Sequence, residues 1–314
     1  MTIPNFEDVL NANYLIKPVI HQTPVLTSIS LNEMTGAKLF FKCENFQKVG
    51  AFKFRGASNA VMSLSDKEAK AGVATHSSGN HAQALALAAR MRGIPATIVM
   101  PSNSPLVKSN AVAGYGARIV FCEPTLEARE TSLNKVVEET GVTFVHPYNN
   151  FKVISGQGTV ALELIEAVEN LDYIITPVGG GGLLSGTLIS TKAMSPRTKV
   201  IAAEPEGADD AFRSIEAGKI QASVNPKTIC DGLLTSLGDL TFEIISKNIY
   251  KIITVRDENI IKAMKLIWER MKIIVEPSSA ITLALLLENK IDLKGARIGL
   301  ILSGGNVDLN KHIW

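Results

Sequence analysis

The chain is poor in cysteine. Its 314 residues hold three, Cys43, Cys122 and Cys230, far apart and in no Cys-x-x-Cys spacing. An odd, scattered set supplies neither a disulfide framework nor a zinc site, and reads as reduced thiols in a cytoplasmic protein. A long apolar run is also lacking. The longest, Ala280 to Leu287, has Thr282 inside it and falls far short of the roughly 20 residues a membrane span needs. Met1 to Asp8 lack the basic start and apolar core of a secretion signal. Nor does one charge dominate: 32 Lys and Arg are interspersed with 30 Asp and Glu, for a net +2. That balance argues against a nucleic-acid groove or a membrane-binding patch. What is there is 46% hydrophobic and 20% charged residues, the composition of a globular protein with a sizeable core in one large or two medium domains.

Strand-like and helix-like stretches alternate along much of the chain. After a helix from about Phe6 to Ile20, Thr23 to Leu26 reads as an edge segment and Lys38 to Cys43 as a strand. Strands are then expected at Val73–His76, Ile94–Met100, Ala117–Cys122 and Val142–Val145. Helices are expected between them at Ala82–Arg90, Leu106–Ala113 and Leu126–Thr140. Gly156-Gln157-Gly158-Thr159 is expected to open a further helix. A second series follows, with strands at Tyr173–Val178, Val200–Ala203 and Ile298–Leu302 and clear helices at Glu258–Met271 and Ser279–Asn289. Such alternation predicts right-handed crossovers and an α/β fold of two open, mostly parallel sheets. Residues 1–65 with 150–314 are assigned to a large domain and 72–149 to a small one; no low-complexity linker or internal repeat separates them.

One segment bears the mark of chemistry. In Gly50-Ala51-Phe52-Lys53-Phe54-Arg55-Gly56 a lysine stands between two phenylalanines. An ammonium held against apolar surface loses solvation, its pKa falls, and its lone pair becomes available near neutral pH. A Schiff base with a carbonyl cofactor needs such an amine. An exposed strand with two buried aromatics would look the same.

Ligands of open α/β sheets bind at the carboxyl ends of strands, and three such ends are unusual. After Val178 come Gly179, Gly180, Gly181 and Gly182 and then a helix, so backbone N–H groups can converge on an anion at the helix's positive end. No Gly-Lys-Ser/Thr follows, and Leu184-Ser185 occupy the place of the third dinucleotide glycine, so neither a P-loop nor a dinucleotide fingerprint is present. A flexible turn is the alternative. After His76 come Ser77-Ser78-Gly79-Asn80-His81, a site for a substrate carboxylate or a plain helix cap. After Leu302 come Ser303-Gly304-Gly305-Asn306, where something flat can approach the backbone and a neutral hydroxyl is on offer, or where the chain turns tightly.

Taken in order, Phe-Lys-Phe-Arg-Gly, Ser-Ser-Gly-Asn-His, Gly-Gln-Gly-Thr, the four glycines and Ser-Gly-Gly-Asn resemble the serine/threonine dehydratase and serine racemase family, pyridoxal-phosphate enzymes of fold type II. The resemblance runs from about Asn5 to Leu309. It implies that Lys53 is the Schiff-base lysine, with Phe52 beside the cofactor ring and Asn80 on the ring oxygen. Gly179 to Gly182 fall on the phosphate cradle and Ser303 on the ring nitrogen. A serine cannot hold that nitrogen protonated as an aspartate would, which suits expulsion of a β-leaving group more than a long-lived carbanion. The implied activity is an ammonia-lyase acting on L-serine or L-threonine, with serine racemisation beside it.

Ser77, Ser78, Asn80 and His81 are implied to hold substrate. Ser78 would act on the substrate face opposite Lys53, and the Ser-Ser pair is that of the racemase branch, where many threonine dehydratases carry Ser-Ala. Cys122-Glu123-Pro124 with Ala128-Arg129-Glu130, and Trp268 to Lys272 with Glu276-Pro277, also resemble that branch. Tyr148-Asn149 stand where animal racemases have Asn-Gln. Arg129 is a candidate for a second substrate carboxylate, which makes 3-hydroxyaspartate the alternative substrate; a helix-surface salt bridge is equally compatible.

Glu204 and Asp210 flank a Pro- and Gly-containing turn, Ala202 to Asp210, that can bring two carboxylates and the Ala208 carbonyl onto one Mg²⁺, Ca²⁺ or Mn²⁺. The resemblance places the family's metal at these three positions; an acidic solvated loop is the other possibility. A cytoplasmic homodimer is also implied. The rivals are a β-replacement enzyme, such as a cysteine synthase, and a non-catalytic binder of phosphorylated metabolites or nucleotides. Neither the substrate order nor nucleotide regulation follows from the residues.

Overall fold

The structure, a computed structural model, describes residues 2–104 and 106–310. Its strands are β1 (Val25–Leu26), β2 (Lys38–Cys43), β3 (Val73–His76), β4 (Ala96–Pro101), β5 (Arg118–Cys122), β6 (Thr143–Phe144), β7 (Tyr173–Pro177), β8 (Lys199–Pro205), β9 (Lys251–Val255) and β10 (Arg297–Leu302). They form a six-stranded sheet, β1-β2-β10-β7-β8-β9, and a four-stranded sheet, β5-β4-β3-β6. Every pairing is parallel except that of β1 with β2. The α/β class and the two mostly parallel sheets are those expected from the sequence.

The first five helices are α1 (Phe6–Ile16), α2 (Ile29–Thr35), α3 (Lys53–Met62), α4 (Asp66–Ala71) and α5 (Asn80–Arg92). Next come α6 (Leu106–Gly114), α7 (Leu126–Thr140), α8 (Phe151–Ala167) and α9 (Gly182–Met194). The last four are α10 (Asp210–Ala217), α11 (Asp239–Asn248), α12 (Asp257–Met271) and α13 (Pro277–Leu287).

Parallel strands buried on both faces need helices on both faces. In the larger sheet Ile175 joins a core built with α2, α12 and α13, whereas its neighbour Ile174 faces α8 and α9. In the smaller sheet Ile98 faces α3 and α5 and Val99 faces α7. Alanines 82, 84, 86, 88 and 89 are all buried, so α5 lies close between α3 and its sheet. Among the described residues, no helix is long and apolar enough to cross a membrane.

Several boundaries differ from expectation. Helix α1 stops at Ile16: Lys17 still has helical φ/ψ and donates to the Asn13 carbonyl, but Pro18 has no N–H to continue the ladder. Helix α13 starts at Pro277, a residue suited to a first helical position. Strand β9 and helices α2, α3, α4, α10 and α11 have no counterpart among the elements expected from the sequence. The largest correction concerns Gly156-Gln157-Gly158-Thr159, which lies mid-helix in α8; the helix opens at Asn150, whose side chain accepts the Val153 N–H at 3.0 Å. Its glycines serve packing. A Cβ on Gly156 would come 2.7 Å from the Cα of Gly56 in α3, and one on Gly186 in α9 would strike Gly158.

Behind α3 lies a buried ionic cluster. Arg55, fully buried, donates from Nε to Glu44 Oε2 at 2.7 Å and from Nη1 to Glu163 Oε1 at 2.7 Å. Lys42 adds a second cation against Glu163 and donates to the Thr23 carbonyl at 2.7 Å. Two cations and two carboxylates thus neutralise one another in the interior and fasten β2, α3 and α8 together.

Candidate active site

Lys53 is the first residue of α3, which rules out the strand alternative for Phe52-Lys53-Phe54. Its place is set by β10: Phe52 N–H donates to the Ser303 carbonyl at 3.0 Å, and Ala51 bridges Gly304. The Lys53 Nζ donates to the Pro147 carbonyl at 2.9 Å and lies 5.2 Å from the centre of the Phe52 ring. Lys53 keeps a partial opening to solvent, yet burial of its ammonium, opposed by the charge of Glu276, lowers its pKa to about 8. The amine is therefore substantially deprotonated at mildly alkaline pH, as a nucleophile toward a carbonyl must be.

The four glycines sit where β7 gives way to α9. Gly181, at φ +86°, is the left-handed N-cap, and α9's first internal bond is Ser185 N–H to the Gly181 carbonyl. The N–H groups of Gly182, Leu183 and Leu184 therefore have no intrahelical partner and are available to an anion. A Cβ on Gly180 would run into the Tyr148 ring, and one on Gly179 would approach the Leu233 Cα at 2.9 Å. These glycines let other groups approach closely, which a merely flexible turn does not require. Tyr148 in turn stacks edge-on against His146 at 4.5 Å, and its backbone N–H, like that of Asn149, donates to His146 Nδ1. Burial lowers the pKa of His146 to about 4, so its ring is neutral.

Asn80 begins α5 directly after the Ser77-Ser78-Gly79 turn. The cap at this turn is Gly79, with no side-chain cap, so the helix-capping alternative for Ser78 does not hold; Ser77 Oγ accepts the Gly79 N–H at 3.3 Å. His81 is buried, its Nε2 lies 3.2 Å from the Val145 carbonyl, and burial lowers its pKa to about 3. Neutral His81 donates from Nε2 and ties the turn to the end of β6. Arg129 is half-buried on α7, its Nε donates to the Thr125 carbonyl at 3.3 Å, and its charge acts on His76 and Tyr148.

Ser303 closes the third strand end. It is buried, and its Oγ lies 3.4 Å from the Ser278 carbonyl, with no carboxylate bonded to it. Two further residues join this corner. The Glu276 carboxylate accepts from Asn80 Nδ2 at 3.0 and 3.2 Å and from the Asn306 backbone N–H at 3.1 Å. Asn306 Nδ2 donates to Asn80 Oδ1 at 2.9 Å. Glu276-Pro277 and Ser303 to Asn306 were conspicuous in the sequence, but nothing there showed that they meet across 30 residues.

Glu204, at the end of β8, and Asp210, at the start of α10, are both buried, so the solvated-loop alternative does not hold. Both Glu204 oxygens accept α10 amides, Ala211 N and Phe212 N, each at 2.7 Å. Burial nevertheless raises the Glu204 pKa to about 8 and that of Asp210 above its usual range. Asp210 Oδ2 is buried, and the Ser223 hydroxyl is its side-chain hydrogen-bond neighbour. Among the described residues no three acidic, histidine or cysteine side chains converge as metal ligands. A cation here would need backbone and water oxygens in addition to the two carboxylates, as hard cations accept.

The features a pyridoxal phosphate requires are therefore present: a neutral-range lysine, an open helix start behind glycines, an oriented amide and a neutral hydroxyl. Comparison with known proteins agrees. Residues 16–304 match the family model described as pyridoxal-phosphate dependent enzyme. The chain is 54% identical over its whole length, and that of the relative, to beta-hydroxyaspartate dehydratase of Paracoccus denitrificans. It is 52% identical to serine racemase of Dictyostelium discoideum, with 99% of this chain and 97% of the relative covered. Maize serine racemase superposes with a TM-score of 0.96 at 48% identity, over 98% of this chain and 95% of that one. The chain belongs to the pyridoxal-phosphate dependent enzymes of fold type II, in the group of serine racemases and hydroxyaspartate ammonia-lyases.

Proposed function

We propose that this enzyme is an ammonia-lyase of small 2-amino-3-hydroxy acids, converting L-serine to pyruvate and ammonia and L-threonine to 2-oxobutanoate and ammonia, and that it also racemises serine. The observation that carries this is the pairing of a lysine of depressed pKa at the start of α3 with Ser303, a neutral hydroxyl at the end of β10, tied together by the Phe52 N–H on the Ser303 carbonyl. Bound pyridoxal phosphate supplies the electron sink that makes the substrate's Cα proton acidic. Lys53 carries the cofactor and, once free, takes that proton on Nζ. Burial favours the neutral amine that this step needs. The N–H groups after Gly181 hold the phosphate, Asn80 the ring oxygen and Ser303 the ring nitrogen. Ser77 and Ser78 line the turn that receives the substrate carboxylate, with His81 behind it, and Ser78 moves a proton on the second face during racemisation. Loss of the β-hydroxyl as water, and hydrolysis of the C–N bond, complete the elimination.

A second substrate has specific support. Arg129 is half-buried, with its charge felt at His76 and Tyr148, and could receive the β-carboxylate of 3-hydroxyaspartate. We further infer a divalent cation at Glu204, the Ala208 carbonyl and Asp210, supported by the burial of two carboxylates at one corner. A large domain of residues 1–65 and 150–314, a small one of 72–149, a homodimer and a cytoplasmic location complete the proposal. Leu10 and Tyr14, exposed one turn apart on α1, are suited to contact with a second copy. Product analysis with L-serine, L-threonine and 3-hydroxyaspartate, and chiral separation of residual serine, tests the activities together. Oxo acid and ammonia from serine or threonine, with D-serine accumulating, is the expected outcome. Turnover of 3-hydroxyaspartate alone would favour Arg129 as its anchor, and turnover of none would remove the proposal.

A further inference from the structure

An asparagine amide can face either way round, and the two orientations exchange donor for acceptor. Asn80 is prevented from doing so by a chain of contacts with an unambiguous acceptor at each end. At one end the Val49 carbonyl accepts from Asn306 Nδ2 at 2.7 Å. A carbonyl can only accept, so Asn306 must present its NH₂ group there. The same NH₂ group faces Asn80 at 2.9 Å, so the Asn80 atom opposite it must be Oδ1. Asn80 Nδ2 then faces both Glu276 oxygens at 3.0 and 3.2 Å, one of which also accepts the Asn306 backbone N–H. Turning Asn80 over would set an oxygen against a carboxylate and an NH₂ group against an NH₂ group.

The surrounding backbone is shaped around this chain. A Cβ on Gly304 would come 2.7 Å from Glu276 Oε1, and one on Gly50 would come 2.9 Å from Asn306 Oδ1. Glu276 is 4% exposed, and its backbone N–H donates to the Gly304 carbonyl at 3.1 Å, so the carboxylate is held from its own main chain as well. A buried carboxylate is costly unless it is well bonded, and here its bonds converge on the amide that begins α5.

We propose that Glu276 is a positioning residue of the cofactor site, fixing the Asn80 amide so that one N–H is bound to the carboxylate and the other is left for the ring of pyridoxal phosphate. Asn306 is the second anchor of the same chain. The inference rests on the assignment of Asn80 to the cofactor, and wild-type binding of pyridoxal phosphate serves as its control.

The test measures cofactor dissociation by equilibrium dialysis, and the visible absorption band of the bound cofactor, in wild type, Glu276→Gln, Asn80→Ala and the double variant. Glutamine keeps the size of Glu276 but can present donor or acceptor, so the Asn80 amide loses one of its two anchors and is held by Asn306 alone. Glu276→Gln should weaken pyridoxal phosphate by about tenfold, the lower end of what losing an outer-shell partner costs at metal sites, and should shift the band. Acting through Asn80, it should add no more than about twofold to the loss in Asn80→Ala. Unchanged affinity and band in Glu276→Gln, or losses that multiply in the double variant, would overturn the proposal. Should Glu276→Gln not fold, Asn306→Ala decides: a weakened, shifted cofactor supports the chain of contacts, and an unaltered one refutes it. A wild-type protein that does not bind pyridoxal phosphate would remove the cofactor assignment itself.

Discussion

At the scale of the residue, Lys53 is distinguished by the pKa its surroundings give it. Free lysine is almost wholly protonated at pH 8, whereas burial brings Lys53 to about 8. Capture of pyridoxal phosphate by the cofactor-free protein should therefore quicken as pH rises through about 8 and then level off. Stopped-flow absorbance would record this, and a rate still climbing at pH 10 would contradict it. Ser78 makes a different prediction. Elimination needs a base on the Lys53 face alone, whereas racemisation needs a group on each face. Ser78→Ala should retain L-serine elimination but lose racemisation and use of D-serine by about 10²-fold, the lower range for losing a general acid or base. A parallel fall in both activities, measured by coupled assay and chiral chromatography, would make Ser78 a binding residue only. The Lys53 and glycine motifs were legible because each is contiguous in sequence. Glu276 and Asn306 lie in motifs that the sequence also shows, but their meeting with Asn80 is made by the fold and is not legible there.

At the scale of the element, buried charge and close-packed glycines hold the supports of the site together. Glu163→Ala would leave Lys42 and Arg55 buried against a single carboxylate, Glu44. Breaking a buried pair in this way costs about 3–5 kcal/mol, readable as a lower denaturant midpoint; a change below about 1 kcal/mol would mean that water replaces the carboxylate. Gly186→Val places methyl groups against Gly158 and the Ile154 carbonyl. Overpacking of this kind costs about 1–3 kcal/mol, and the same unfolding measurement checks it. The sequence marked β2 and α7 at their observed limits, since clear periodicity and turn signals frame them. It misplaced the start of α8 because Gly156 and Gly158 resemble a loop, whereas their role is to let three helices meet. Strand β9 escaped notice, as five residues between two helices give the periodicity little length.

At the scale of the whole molecule, the cation proposed at Glu204 and Asp210 would link stability to pH and metal. Glu204 titrates near 4.3 when unfolded and about 8 when folded. The folded state then binds more protons at this group, so without a cation the contribution of Glu204 to stability is fully present below about pH 4 and is lost as pH rises through about 8. Mg²⁺ or Ca²⁺ held by the ionised carboxylates should flatten that decline, and at a hundredfold its dissociation constant should add about 2.7 kcal/mol. Melting curves with EDTA and after cation addition test this at pH 7.5. Curves indifferent to both treatments would contradict the metal assignment. The assembly as a whole nevertheless turns on one amine. Reconstitution with pyridoxal phosphate, reduction by borohydride and peptide mass spectrometry locate the modified lysine directly. A single adduct on the peptide containing Lys53, with no label in Lys53→Ala, is the predicted result; an adduct on any other lysine, or none, would contradict the account.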